Sequence, residues 1–304
     1  MSATRPSQPA AARVDGQDGT SRVAIEAALF QNSRMTEVAA EGAATAPAGN
    51  GGALVFEQPL NERMRAYLRI DFLYNQALFH AHSSSQWGSR AAISSLLDIL
   101  AIITRSDIRA DVLKELERQI AVYTEFQRRP NIDVDRLQAL VANLTRLRTE
   151  LLGAGTAWLQ PLRDSNFLAA IRHRSTIPGG TCDFDLPDLS FWLAQTGEVR
   201  EQALAEWLAL LRPLCDSIAE LLWLTRQSGR TRSEIATNGV FHITFDRGQP
   251  VQLLRVAVAA DLGIFPEISG SHYRASVRFV SWQGLNERAR QVESDVAFDI
   301  ICCS

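Results

Sequence analysis

The spacing of apolar residues changes once along this chain of 304 residues, and that change limits the folds it can adopt. From about residue 60 to residue 227, apolar side chains recur every three or four positions, which is typical of one face of an α-helix. From about residue 239 onward they alternate, which is typical of a β-strand. Helices followed by strands in separate runs favour an α+β fold, here a mainly α-helical domain followed by an antiparallel β-strand domain.

Composition divides the chain into three predicted parts. Residues 1–52 are rich in Ala, Gly, Ser, Pro, Gln and Thr, so they would bury too little apolar surface to offset their ordering entropy. We expect them to be a disordered extension. Residues 53–235 are predicted to form the α-helical domain and residues 236–304 the β-strand domain, and the segments 53–58 and about 180–185 are candidate strands that could pair with the sheet.

Individual elements follow from the same periodicities. The first helix is predicted to begin near Leu60, with Pro59 at its first position, where proline is well tolerated. Further helices are predicted over about 88–104, 107–128, 134–153 and 161–174, from Pro187, and over about 197–227. The last of these should be kinked or divided at Pro213, whose ring clashes within a continuous helix. Strands are predicted over 239–246, 252–260, 272–281 and 293–302.

The first predicted helix carries a stripe of residues suited to an anion. Its predicted apolar face comprises Leu60, Met64, Tyr67, Leu68 and Leu78. Beside that face, at i, i+4, i+7 and i+11, lie Arg65, Arg69, Phe72 and Gln76, whereas Arg63 points elsewhere. Cations are unfavourable near the start of a helix, which indicates a nearby anion, although arginines that merely solvate a helix surface are an open alternative. The stripe could hold an extended ligand that has both a carboxylate and an apolar group.

The predicted strands contribute further arginines. Along 272–281, one face is predicted to hold Tyr273, Ala275, Val277 and Phe279, and the opposite face Arg274, Ser276 and Arg278. The two guanidiniums would be rooted roughly 13 Å apart along the strand. Arg255 interrupts the apolar strand 252–260, so it requires an anionic partner, either an internal Asp or Glu or a bound anionic ligand.

Motifs for catalysis are missing from the sequence, so no catalytic residue is assigned. No GxSxG elbow or P-loop is present, and "IPGG" is too short to hold phosphates. His80 and His82 are spaced too closely to bind one metal from a single helix face, and the four cysteines lack a CxxC pair. Asp183 and Asp185 form the nearest carboxylate pair, but no second acidic cluster supports acid/base chemistry. We therefore expect a protein without metal or cofactor.

Charge and hydropathy limit the partners. The net charge of -3 argues against nucleic acid, and the aromatic residues of 272–281 are predicted to point away from its arginines. No apolar run in the sequence reaches the length of a membrane span and no secretory leader precedes the folded part, so we expect no membrane insertion and a cytoplasmic location.

Several strings together resemble the ZapD family of bacterial cell-division proteins. They are "LVFEQPLNERMRAYLRIDFL", "IPGGTCDFDLPDLSFWL", "LLRVAV", "FPEISGSHYRASVRFV" and the final "FDIICC", and they occur in order from Ala53 to the end of the chain.

The resemblance implies a non-enzymatic, cytoplasmic homodimer at the mid-cell division ring. It further implies binding to the carboxyl-terminal peptide of the tubulin-like protein FtsZ, with crosslinking of FtsZ filaments that stabilises the Z-ring. Arginines of the family's binding pocket match Arg65, Arg69, Arg274 and Arg278, and Arg255 is a plausible neighbour. Asn166 stands where members of the family carry a further arginine. An enzyme or small-ligand sensor in the helical domain, with structural arginines, is the alternative from a different class.

Overall fold

The structure is a computed structural model that describes residues 52–127, 133–246, 248 and 250–304. The predicted disordered extension, apart from Gly52, lies outside the described residues. The helices are α1 (Glu62–Ala81), α2 (Gln86–Arg105), α3 (Ile108–Phe126), α4 (Val134–Gly153), α5 (Gln160–Arg163), α6 (Asn166–Arg174), α7 (Pro187–Leu193) and α8 (Gly197–Gln227). The strands are β1 (Ala53–Pro59), β2 (Thr231–Ala236), β3 (Val240–Thr244), β4 (Leu253–Ala259), β5 (Ile264–Ser271), β6 (Arg274–Ser281), β7 (Arg290–Gln291) and β8 (Val296–Cys303). The predicted α+β fold is confirmed.

Side-chain caps determine where several helices begin. The Asn61 side chain accepts a hydrogen bond from the backbone N–H of Met64 at 2.8 Å, so α1 begins at Glu62. Asp107 and Asp133 cap α3 and α4 in the same way. The prediction that Pro59 occupies the first helical position is wrong, because Pro59 is the last residue of β1 and the cap lies two residues later.

The helices enclose a core of their own. The leucines of α4 that repeat at steps of three and four are all buried: Leu137, Leu140, Leu144, Leu147 and Leu151. On α1 the buried positions are Met64, Tyr67, Ile70, Ala77 and Ala81. Leu68 and Leu78 are only partly buried, and Leu60 precedes the helix and packs into the sheet core instead. The predicted apolar face of α1 is therefore correct at Met64 and Tyr67 and wrong at Leu60.

Helix α8 is continuous through Pro213, so of the two predicted alternatives, a kink or a division, the division is wrong. Leu211 and Leu214, on either side of the proline, are fully buried in the helical core. Their burial stabilises the helix on both sides of the missing backbone hydrogen bond and offsets its loss.

Two antiparallel sheets make up the second part of the fold. Their strand orders are β1-β4-β8-β2 and β3-β6-β5, with β7 pairing with β6. A second core lies between them, and it includes Val256 of β4, Val277 and Phe279 of β6, and Phe298 of β8. The alternation predicted for β6 is confirmed at Ala275, Val277 and Phe279, which are buried. It is wrong at Tyr273, which precedes the strand and is 54% exposed.

The sheet includes strands that the alternation did not reveal. β2 and β5 were not predicted, because β2 is largely exposed and β5 contains Pro266 and Gly270. β1 pairs with β4 along its whole length, with Glu57 directly opposite Arg255. The strand candidate at about 180–185 is not formed, because those residues lie in turns before α7.

The two parts of the fold are joined by direct packing. Leu253 of β4 and Cys303 of β8 are buried in the helical core, not in the core between the sheets. The first sheet therefore contacts the second sheet on one face and the helices on the other. Helix α2 is the one described helix whose length and mean hydropathy of 1.2 would suffice for a membrane span, but 56% of that segment is buried in the helical core, as in core helices of soluble proteins.

Candidate functional site

The predicted stripe on α1 lies at the surface. Arg65 is half-buried and its Nη1 is 3.1 Å from Glu62 Oε1, a carboxylate whose side chain is 84% exposed. Arg69 is exposed and has no ion pair among the described residues. Phe72 is 65% exposed, and Gln76 is exposed and accepts a hydrogen bond from Ser95 Oγ at 3.1 Å. The stripe thus presents two cations and an aromatic ring to solvent.

Arg63 lies away from this stripe, as predicted. Its Nη1 donates to Glu115 Oε2 at 3.1 Å and its Nη2 to Gln252 Oε1 at 2.6 Å. Glu115 is nearly buried and also accepts hydrogen bonds from Arg118 and Gln119. Burial raises the pKa of Glu115, but the hydrogen bonds and charges of these arginines outweigh it and hold the pKa below its usual value. Arg63 therefore connects α1, α3 and the residue that precedes β4.

The two β6 arginines are exposed on the outer face of the second sheet. Arg278 pairs with Glu267, directly opposite on β5, and both side chains are about half exposed. Arg274 has no ion pair among the residues that the structure describes. It lines a shallow depression of about 640 Å³ whose other walls include His242, Ser269 and Ser276.

One packing contact brings α1 and the β5–β6 hairpin together. Leu60, two residues before α1, packs in the sheet core, where its Cδ2 would lie 2.9 Å from a Cβ added to Gly270. The same added Cβ would lie 3.0 Å from Ala275 Cβ, so glycine is required for this close approach. Ala275 follows Arg274 on β6. The segment just before α1 therefore contacts the β5–β6 hairpin from its core side, whereas Arg274 and Arg278 lie on the outer face of the same hairpin.

Arg255 lies on β4 of the first sheet, in the neighbourhood of Glu57 of β1 and Arg226 of α8. Its Nε is 3.0 Å from Glu57 Oε1, although its N–H is not aimed at that oxygen. Arg226 of α8 donates Nε and Nη2 to the two oxygens of Glu57, each at 2.9 Å. The sequence left open whether Arg255 pairs with an internal acid or with a bound anionic ligand. In the structure it pairs with an internal acid, Glu57.

The Glu57 cluster reaches α1 through Asp71. Burial tends to raise the pKa of Glu57, but two hydrogen bonds from Arg226 and the charges of Arg226 and Arg255 lower it overall. Asp71, which lies between Arg69 and Phe72 in sequence, has its pKa raised by burial and by the charge of Glu57, although Arg226 opposes this. Sequence reasoning missed Glu57 and Arg226 as partners; a signal for Glu57 was its place in a strand candidate that could pair with the sheet.

The other candidate chemical groups have structural partners. Asp183 accepts a hydrogen bond from Ser190 Oγ at 2.6 Å, and Asp185 lies 3.3 Å from Arg174 Nη1. His82 Nδ1 is 2.8 Å from Glu201 Oε1 at the surface. Within the described ranges, no three His, Cys, Asp or Glu side chains are grouped so that they could hold a metal ion. Asn166 is the first residue of α6, after the cap Ser165.

Fold and geometry together define an α+β protein with exposed arginines on its first helix and on the outer face of its second sheet. The ZapD cell division protein family model matches residues 68–278. Similar curated proteins are each named cell division protein ZapD. That of Chromobacterium violaceum is 36% identical over 82% of this chain and 98% of its own length, and that of Methylococcus capsulatus is 37% identical over 82% and 98%. That of Dechloromonas aromatica is 35% identical over 83% of this chain and 99% of its own length.

The chain belongs to the ZapD family of cell division proteins. Its role therefore lies in cell division.

Proposed function

We propose that this protein binds the carboxyl-terminal peptide of FtsZ and, as a homodimer, crosslinks and bundles FtsZ filaments to stabilise the Z-ring. The peptide would lie between α1 and β6. Its carboxylates would contact Arg65, Arg69, Arg274 and Arg278, and its apolar side chains would contact Phe72, with Gln76 beside them. The protein would act in the cytoplasm at the division ring, without catalysis and without a cofactor.

The observation that supports this proposal most is the Leu60 contact with the β5–β6 hairpin. It places the segment that leads into α1 against the hairpin that carries Arg274 and Arg278, although the two are about two hundred residues apart in the chain. Arginine suits an acidic peptide because its planar group can donate two parallel, charge-assisted hydrogen bonds to one carboxylate. The exposed ring of Phe72 can pack against an apolar side chain of the same peptide.

The five arginines should contribute unequally. Arg69 and Arg274 have no competing ion pair in the described part of the chain, so they can meet a carboxylate at little cost. Arg65 and Arg278 would each give up an ion pair with a surface acid to bind the peptide. The cost is small, because an exposed ion pair contributes little free energy in water. Arg255 is held by Glu57, so its contribution would be positive potential at the edge of the site.

Crosslinking requires two sites in one assembly. A single site would only decorate a filament, whereas two sites related by a twofold axis could hold tails from two filaments. The second tail then binds at a high effective concentration, so bundling can be strong although each site is weak. Exposed charge pairs are screened over about 8 Å at physiological ionic strength, so binding should weaken as salt is added.

A titration of the full chain with a fluorescent FtsZ tail peptide tests this function. We expect a saturable signal that falls at least about tenfold in affinity for Arg69→Glu and for Arg274→Glu, since each reversal replaces an attraction with a repulsion. Arg212→Glu is the matched control, because Arg212 is an exposed helix arginine on α8 whose one ion pair within the described ranges is with Asp216. Its affinity should match the wild type.

The thermal melts of all three variants should stay close to that of the wild type, because each arginine is at the surface. The absence of any saturable signal with the wild-type protein would contradict the proposal and favour the sensor or enzyme alternative.

A further inference from the structure

The stripe on α1 continues into a second exposed aromatic ring. Phe79 is 64% exposed and lies seven residues after Phe72, which is 65% exposed. Positions seven apart on a helix lie on nearly the same face, about 10 Å from each other along its axis. We call the row of Arg65, Arg69, Phe72, Gln76 and Phe79 the extended stripe. Two rings that the described residues leave this exposed mark a surface suited to a further apolar contact.

The amino-terminal part of the chain contains one stretch with matching chemistry. In the sequence of residues 1–51, the only Ile, the only Leu and the only Phe are Ile25, Leu29 and Phe30. Residues 23–33 read VAIEAALFQNS, and their single charge is the carboxylate of Glu26. One acid among apolar side chains suits a surface that offers guanidiniums beside aromatic rings. We call residues 23–30 the internal ligand.

The chain between the internal ligand and the fold is long enough to reach α1. Gly52 is the first described residue, and its carbonyl oxygen accepts a hydrogen bond from the N–H of Ala260, just after β4, at 3.0 Å. From there β1 spans about 23 Å, and Arg69 lies about 12 Å beyond the cap of α1. The 21 residues from 31 to 51 can span up to about 70 Å. The linker therefore permits contact with the whole extended stripe.

We propose that the internal ligand binds the extended stripe of its own chain and so competes with the FtsZ tail peptide. The carboxylate of Glu26 would pair with Arg69, which has no ion pair among the described residues. The Leu and Phe side chains of the internal ligand would cover the two exposed rings of the stripe. This inference rests on the proposed function, because it assigns a second ligand, carried by the chain itself, to the same site.

Covalent linkage favours the internal ligand over a free peptide of the same chemistry. A linked ligand acts at an effective concentration on the order of mM, so one charge pair and two apolar side chains can cover the site in much of the population. A free FtsZ tail binds only where the site is uncovered, and its apparent affinity falls in proportion. A filament presents many tails close together, so the internal ligand would select for filaments over single FtsZ molecules.

Photocrosslinking of the full chain tests the contact without FtsZ. With p-benzoylphenylalanine in place of Phe30, irradiation should join residue 30 to α1, in a product that migrates as a monomer in a denaturing gel and is mapped by mass spectrometry. Arg69→Glu should lower the crosslink yield at least about fivefold, because it replaces an attraction to Glu26 with a repulsion. Arg212→Glu, at an exposed position on α8, is the control and should leave the yield unchanged. Crosslinks that miss α1, or that join only two separate chains, would overturn the inference.

Titration with the fluorescent FtsZ tail peptide tests the competition. Leu29→Ser with Phe30→Ser should tighten peptide binding at least about fivefold, the gain for a site that is free in about one-fifth of the wild-type molecules. Val14→Ser with Val38→Ser is the matched control, because it removes two apolar side chains of residues 1–51 that lie outside the internal ligand. It should leave the affinity unchanged. Equal affinities for the wild type and the Leu29 and Phe30 variant, in a protein that binds the peptide, would overturn the inference.

The two assays separate this inference from the proposed function. A crosslink from residue 30 to α1 in a protein that never binds the FtsZ peptide would reject the peptide site and leave the internal contact standing. Peptide binding in a protein that never forms this crosslink would reject the internal ligand and leave the peptide site standing.

Discussion

The arginines at the helix–sheet junction and those on the α1 and β6 surface differ in what neutralises them. At the junction, Arg226 and Arg255 share the half-buried Glu57, and Arg63 and Arg118 share Glu115. On the surface, Arg69 and Arg274 have no acid partner among the described residues. The same side chain thus connects elements in one region and leaves positive charge available in the other. An arginine paired with an internal acid connects elements of the fold, whereas an arginine without such a partner can contribute its charge to an external ligand. The number of arginines does not make this distinction.

The largest expected effect is a loss of stability from a substitution at the helix–sheet junction. Glu57→Gln leaves Arg226 and Arg255 without their shared charge partner, and removing one member of a buried pair costs several kcal/mol. Since the three side chains remain 20–29% exposed, we expect a smaller loss, about 2–3 kcal/mol in the free energy of unfolding. Urea denaturation measures it.

The matched control is Glu62→Gln, which removes the exposed partner of Arg65 and should change the free energy of unfolding by less than about 0.5 kcal/mol. Equal losses in the two variants would mean that the junction and the surface do not differ as described.

A smaller effect compares two buried acids. Glu57 is paired with cations, whereas Glu220 of α8 is buried with one oxygen, Oε1, lacking a hydrogen bond, and its neighbours are Asn143, Arg146 and Tyr123. Burial raises the pKa of Glu220, and Asn143 and Arg146 only partly oppose this. An acid with a raised folded-state pKa lowers stability as pH rises above its usual value of 4.5, because the folded state then holds a charge it disfavours.

Glu220→Gln should therefore increase the free energy of unfolding at neutral pH by about 1 kcal/mol, and the gain should vanish below about pH 4.5, where Glu220 is protonated in both states. Glu57 behaves in the opposite way: its lowered pKa stabilises the fold above pH 4.5, and that stabilisation is lost as pH falls through the folded-state value. Urea denaturation of the wild type and Glu220→Gln across this pH range measures both. A constant difference at every pH would contradict the assignment to Glu220.

The smallest expected effect sharpens the comparison at the surface. Glu267→Gln frees Arg278 from its cross-strand acid and removes a negative charge from the proposed site. Binding of the FtsZ tail peptide should tighten by about two- to threefold, the scale of an exposed ion pair. Glu287→Gln, in the loop before β7, frees the exposed Arg290 of β7; it is the control and should leave the affinity unchanged. Weaker binding after Glu267→Gln would mean that the pair positions Arg278 for the peptide.

Sequence periodicity predicted the larger elements well, because burial sets the pattern directly. The leucines of α4 and the alternation of β6 follow from one buried face each, and both are found in the structure. β2 and β5 were missed because their polar residues and Pro266 conceal the alternation. At Pro213 the low helix propensity of proline predicted a division that the structure does not have. The burial of Leu211 and Leu214 stabilises the continuous helix instead.

The candidate site could be predicted only in part for a related reason. Spacing along one helix groups Arg65, Arg69, Phe72 and Gln76, and strand alternation groups Arg274 with Arg278. The contact between the segment before α1 and the hairpin that carries the second group depends on Leu60 packing against Gly270, and these two residues are more than two hundred positions apart. The pairing of Arg255 with Glu57 likewise depends on the register of β1 against β4, which no local pattern specifies.

A crystal structure of the full chain with the FtsZ tail peptide tests the central claim most directly. The account predicts peptide carboxylates within hydrogen-bonding distance of Arg69 on α1 and of Arg274 on β6 in the same complex, with an apolar peptide side chain against Phe72. A peptide bound elsewhere, or one that contacts only one of these two elements, would contradict it.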